Sequence, residues 1–274
     1  MTTGSIGVFD SGYGGLTVLQ SITAKLPHYN YLYLGDNARA PYGNRSFDTV
    51  YQYTLQCVEW FFKQGCPLVI LACNTASAKA LRTIQQNDLA RFGNAKRVLG
   101  VIRPTTEIIG KYTQTGKVGI LATSGTVLSG SYPKEINKLF PDCEVYQEAC
   151  PMWVPLIENN EHTSPGATYF LEKHINHLLA QSKNIDTILL ACTHYPLLMD
   201  AIKKLVPYGT TVLSQGEIVA NSLAIYLQRH SWMEKRLSKG GKVSFFTTDD
   251  AADFDAKGSL FYGKPVKSTH LNMK

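Results

Sequence analysis

The chain carries one pattern twice. Residues 68–81 read LVILACNTASAKAL and residues 187–202 read TILLACTHYPLLMDAI. Each is an apolar run, then Ala-Cys, then polar residues, then a helix-forming stretch. Upstream of each, IGVFDSG at 6–12 parallels VGILATSGT at 118–126. The intervals are alike, 63 residues from Asp10 to Cys73 and 70 from Ala122 to Cys192. Two long copies are too few for a solenoid. They predict two related α/β domains about a pseudo-two-fold axis, with a site between them. The last 60 or so residues fall outside the repeat. They are expected to return to the first domain, which gives residues 1–98 plus 210–274 as one domain and 99–209 as the other.

Apolar runs and helical stripes alternate along the chain. Strands are expected at 5–9, 30–34, 68–72, 97–101, 117–121, 143–147, 187–191, 210–213 and 243–247. Several are continuously apolar, as parallel strands covered on both faces require. Between them, Leu16, Leu19, Ile22 and Leu26 follow helical spacing, as do Phe47, Val50, Tyr51, Leu55, Val58 and Phe62. Ser46 is placed to cap the second helix and Gly65 to end it. Helices are also expected around Ile175–Leu179 and Leu223–Leu227. The class is α/β with parallel sheets. In such sheets ligands bind beyond the carboxyl ends of the strands.

Composition removes several function classes. A chain of 274 residues with 44% hydrophobic and 18% charged residues is globular, not disordered. Its apolar runs are far shorter than the ~18 residues of a membrane helix, so no membrane partner is expected. The N-terminus MTTGSIGVF has neither a basic region nor an apolar core of a signal peptide, which predicts a cytoplasmic protein. The net charge of +6 is concentrated in residues 79–117, which hold eight Lys/Arg against two acids. This reads as a solvated basic face or as a site that draws small acidic metabolites. No nucleic-acid-binding signature accompanies it. Neither GxGxxG nor a P-loop occurs, so no nucleotide cofactor is expected. Six cysteines without a CxxC pair argue against structural zinc and against a disulfide framework. His174 and His177 stand three apart on a helical stretch with no third ligand in view, so no metal is expected there.

The chemistry concentrates at the repeated loops. Cys73 precedes Asn74 and Thr75, and Cys192 precedes Thr193 and His194, each at a strand end and an expected helix start. A helix N-terminus offers backbone N–H groups and a positive dipole end, which is expected to lower the thiol pKa. Asp10 closes the first strand and is followed by Ser11-Gly12-Tyr13-Gly14-Gly15, whose glycines let backbone amides approach an anion. Tyr42 and Gly43, in the loop after the second strand, would face the same crevice. Glu158 ends the apolar stretch VPLIE at the corresponding point of the second half.

Together these motifs resemble glutamate racemases of the aspartate/glutamate racemase family. The resemblance is carried by FDSGYGG (9–15), GDNARAPYG (35–43), ACNTAS (72–77), VPLIE (154–158) and ACTHYP (191–196). It implies cofactor-independent exchange of L- and D-glutamate, supplying D-glutamate for peptidoglycan biosynthesis. Cys73 and Cys192 would be the two bases, assisted by Asp10, His194 and Glu158. Asp10, Ser11, Tyr42, Gly43, Asn74, Thr75, Thr193 and His194 would contact the substrate. The resemblance also implies a homodimer. Arg103, where the family often has an acid, and Tyr13, where an aliphatic residue is common, depart from its pattern. An aspartate racemase or a related decarboxylase on the same scaffold is the alternative.

Overall fold

The computed structural model describes residues 3–273. Two parallel sheets organise it. The first is built from β1 (Ile6–Asp10), β2 (Tyr31–Gly35), β3 (Leu68–Leu71) and β4 (Arg97–Gly100). The second is built from β5 (Lys117–Ala122), β6 (Glu144–Ala149), β7 (Thr187–Ala191) and β8 (Thr211–Leu213). Two late strands, β9 (Val243–Thr247) and β10 (Ser268–His270), add to the first sheet. The orders are β10-β9-β2-β1-β3-β4 and β6-β5-β7-β8, with every pairing parallel.

The duplication is visible in that order. β2-β1-β3-β4 and β6-β5-β7-β8 are the same arrangement of four successive strands, with β9 and β10 extending one edge of the first. All nine expected strands are present within two residues of their expected ends. In the first sheet β4 runs to Gly100, and in the second β8 pairs with β7.

Burial follows most of the predicted faces, but Phe47, at the start of the second helix's stripe, is exposed. β1, β3 and β7 are buried along their whole length, as central parallel strands must be. The helix Phe47–Lys63 is capped by Ser46, whose Oγ accepts from the Thr49 amide at 3.1 Å, and it buries Val50, Leu55, Val58, Phe61 and Phe62. Phe61 lies so close over β1 that a Cβ at Gly7 would sit 2.7 Å from its ring, so this strand position requires glycine. The helix ends before Gly65, whose φ of +81° suits glycine. The helix Gly216–Arg229 lies against the helix Gly15–Lys25, so the segment after the second sheet returns to the first.

No helix among the described residues is long and apolar enough to cross a membrane. The basic stretch 79–117 separates into local partners: Arg91 with Glu59, Arg103 with Glu107 and Lys117 with Glu144, while Lys96 lies over the rings of Phe62 and Phe92. All six cysteines are free thiols.

Candidate active site

The carboxyl ends of β1, β3 and β7 face one cavity of about 140 Å³ between the sheets. Its lining includes Ser11, Tyr42, Gly43, Cys73, Asn74, Thr75, Glu158, Cys192, Thr193 and His194. Both halves of the repeat therefore contribute their Cys loop to the same space. A larger, more open groove of about 780 Å³, lined by Gln20, Lys25, Glu217 and Lys264 among others, lies elsewhere and contains none of these residues.

Cys73 leaves β3 as the N-cap of the helix Asn74–Lys79, and its Sγ accepts from the Ala76 amide at 3.4 Å. Ser11 Oγ lies 3.5 Å from the same sulfur. The helix start was expected to lower this thiol's pKa. Instead it is pushed up to about 12, chiefly by burial and also by the negative charge of Asp10; the bonds from Ser11 and Ala76 oppose the shift without overcoming it. A six-residue helix gives a small dipole, and a thiol only 5% exposed loses the water that would solvate a thiolate.

Cys192 follows β7. The segment after it is a short 3₁₀ turn, Tyr195–Leu198, before the helix Met199–Leu205, so the expected helix begins later than at the matching Cys73 loop. Its chemical neighbour is a side chain: His194 Nδ1 lies 3.9 Å from Cys192 Sγ. On the other side of the ring, Nε2 is 2.8 Å from Glu158 Oε1. Burial alone would lower the His194 pKa, but the bonds to Cys192 and Glu158 and their negative charges raise it to about 10. At neutral pH the ring is therefore an imidazolium.

Asp10 joins the two loops. It is buried; its Oδ1 accepts from the Gly12 amide at 2.9 Å and its Oδ2 from Thr193 Oγ1 at 3.3 Å. Burial raises its pKa, against the lowering effect of His194 and these bonds. Thr75 also reaches across the cleft, its Oγ1 3.0 Å from Thr123 Oγ1 in the second half.

Three expected substrate contacts already have groups committed within the protein. The Tyr42 hydroxyl donates to Asp36, while the residue also lines the cavity. The Gly43 carbonyl accepts from the Gly125 amide at 2.7 Å, pinning the loop to the second half. Most of the Asn74 amide is likewise engaged, with Tyr132 and Gln215.

Asp36 was missed in the sequence. It is fully buried and gathers Arg39 Nε at 2.7 Å, Thr248 Oγ1 at 2.9 Å and the Tyr42 hydroxyl, thereby building the loop that carries Tyr42 and Gly43. Its position just after β2 was readable, but its distant partner Thr248 was not. Tyr13 is explained by the C-terminal region: its hydroxyl donates to Asp253 at 2.7 Å and its ring stacks on Phe254 and Phe261. Arg103 lies outside the cavity and pairs with Glu107.

The third group absent near His174 and His177 in the sequence is Glu148 on β6. Its Oε1 lies 2.7 Å from His174 Nδ1 and 3.4 Å from His177 Nδ1. The shorter distance is a direct hydrogen bond.

The Asp/Glu/hydantoin racemase family profile matches residues 7–223. A curated glutamate racemase of Persephonella marina is 37% identical over 270 residues, covering 98% of this chain and 97% of the relative. A solved glutamate racemase isoform of Bacillus anthracis superposes with a TM-score of 0.89 at 32% identity, covering all of both chains. The glutamate racemase of Francisella tularensis, solved in complex with D-glutamate, gives 0.88 at 27% identity, covering 100% of this chain and 99% of that one. With the same two-sheet architecture and a match over most of its length, the chain belongs to the Asp/Glu/hydantoin racemase family.

Proposed function

We propose that the protein is a glutamate racemase that interconverts L- and D-glutamate with two cysteines and no cofactor. The observation that carries this reading is the pair of buried thiols, one from each half of the repeat, in one cavity. Racemisation removes the α-proton from one face and returns a proton to the other. A duplicated fold with one thiol per half is suited to that task.

From L-glutamate, Cys192 as thiolate takes the α-proton and the electron pair moves into the α-carboxylate. Cys73, as thiol, then gives its proton to the opposite face. Each turnover leaves Cys192 protonated and Cys73 as thiolate, so the enzyme resets by proton exchange or by running the reverse reaction. The electrostatics support this direction of reading. Cys73 holds its proton strongly because it is buried beside Asp10, while the His194 imidazolium is the counter-charge beside Cys192. Glu158 keeps the imidazole oriented. In the D-to-L direction the substrate ammonium supplies positive charge near Cys73, and Asp10 assists. The developing negative charge is met by donors from Asn74 and Thr75 in a largely buried site, where such bonds act strongly, while the Thr193 hydroxyl is spent on Asp10. Ser11 and the backbone of Tyr42 and Gly43 hold the side-chain carboxylate.

The alternative, an aspartate racemase or decarboxylase, differs in substrate reach. Aspartate is one methylene shorter and cannot satisfy both ends of a cavity built for glutamate, which leaves buried donors unpaired. Incubation with each acidic L-amino acid, read by chiral chromatography, tests this. Accumulation of D-glutamate to a near-equal mixture, with far slower turnover of aspartate, is the expected result; comparable rates refute the specificity.

The remaining proposals rest on the family resemblance: the D-glutamate feeds peptidoglycan biosynthesis, and the enzyme works in the cytoplasm as a homodimer. The two sheets support a two-domain division close to the expected one, with the joints after Gly100 and after Leu213.

A further inference from the structure

A buried polar relay stands behind the Cys73 loop. Gln215 precedes the helix Gly216–Arg229, Tyr132 lies on the helix Ser131–Leu139, and Val101 and Thr105 lie at and within the start of the helix Ile102–Ile109. Asn74, Thr105, Tyr132 and Gln215 are all buried. Three separate segments thus converge behind Asn74, the residue next to Cys73.

The polarity of this relay is fixed from one end. The Val101 carbonyl can only accept. It receives the Thr105 hydroxyl at 2.9 Å and lies 3.2 Å from Gln215 Nε2. Thr105 has spent its proton on Val101, so the NH₂ of Gln215 must face this side; its two hydrogens go to Thr105 Oγ1 at 2.9 Å and Tyr132 Oη at 2.8 Å, the more distant Val101 carbonyl sharing the first. Since Gln215 Nε2 is a donor only, Tyr132 accepts from it and spends its own proton on Asn74 Oδ1, at 2.6 Å. Gln215 Oε1 is left to accept from Asn74 Nδ2, at 2.7 Å. The Asn74 oxygen is thus directed away and its NH₂ is held with one hydrogen uncommitted, in a residue that lines the cavity. A reversed amide would present an acceptor to an anionic substrate instead.

We infer that Gln215 and Tyr132 are positioning residues that lock the Asn74 amide with a free N–H toward the substrate α-carboxylate. The inference rests on the racemase reading and adds to it what sets the orientation of one substrate donor. It also makes a sequence demand that motif matching does not express: the donor at 74 depends on residues 58 and 141 positions away.

The test is a pair of double-mutant cycles. Tyr132→Phe removes the proton that fixes the Asn74 oxygen and changes little volume. Gln215→Leu removes the other partner and serves as the second probe. Each is measured alone and in an Asn74→Ala background, for kcat/KM on glutamate and for calorimetric binding of D-glutamate. A bond to a charged group is worth about 1.5–3 kcal/mol, so each single variant should lose about tenfold or more in kcat/KM. In the Asn74→Ala background the same changes should cost less than about twofold, because the amide they orient is gone. Losses of equal size in both backgrounds mark a merely structural role and overturn the inference, as does a fully active Tyr132→Phe. The binding cycle needs no turnover. A protein that binds but does not racemise glutamate refutes the racemase reading alone, and one that does neither overturns both.

Discussion

Replacing Glu158 by Gln keeps the shape of the His194 partner and removes its charge. The bond concerned is 2.8 Å long, with His194 6% and Glu158 25% exposed at the side chain. A hydrogen bond between two charged groups contributes about 1.5–3 kcal/mol, and the partial exposure of Glu158 places it near the lower end. One pKa unit corresponds to about 1.4 kcal/mol, so the His194 pKa should fall from about 10 by roughly one unit. The sign for stability follows from linkage. The folded-state pKa of His194 lies above its unfolded value of 6.5, so its contribution is fully present below pH 6.5 and is lost as pH rises through about 10. Glu158→Gln should therefore destabilise the fold by about 1.5 kcal/mol at pH 6 and by much less above pH 10. Histidine NMR titration reads the pKa, and paired urea unfolding curves of both proteins at each pH read the stability. An unmoved His194 titration, or an equal loss at both pH values, refutes the charged His194–Glu158 pair.

Asp36→Asn leaves Arg39 without its buried partner and should destabilise by about 3 kcal/mol, read by urea unfolding; a change under about 0.5 kcal/mol contradicts the role given to Asp36. Because Cys73 is pushed up to about 12, its alkylation by iodoacetamide in the ligand-free protein should still be rising with pH at about pH 10. Peptide mapping of the label reads this, and a plateau reached by about pH 8 contradicts it. Activity should persist after exhaustive chelation, as measured by chiral chromatography; loss restored by added metal contradicts the cofactor-free reading.

The fold was legible because its signals are local and repeated. The apolar runs at 68–71 and 187–191 are buried throughout, and each delivers a Cys to the cavity. Ser46 and Gly65 marked one helix at both ends. What escaped was either short or long-range. β10 has three residues and no apolar run, and it is made by its pairing with β9. The Asp36–Thr248 and Asn74–Gln215 bonds join positions 212 and 141 residues apart, for which sequence spacing carries no signal. The Cys73 electrostatics failed for a different reason: the helix start was read correctly, but burial outweighs it. Glu148 could have been found only from the sheet, since β6 sets it beside His174 on the neighbouring helix.

The central claim is that two thiols act on opposite faces of one carbon, and solvent-isotope labelling tests it most directly. The protein is incubated with L-glutamate in heavy water, and the first D-glutamate formed is analysed for deuterium at the α-carbon. If Cys192 removes the original proton and Cys73 delivers another, already exchanged with solvent, nearly all early D-glutamate carries deuterium. A single base serving both faces would return much of the proton it removed, so early D-glutamate retaining most of its α-protium contradicts the two-cysteine account.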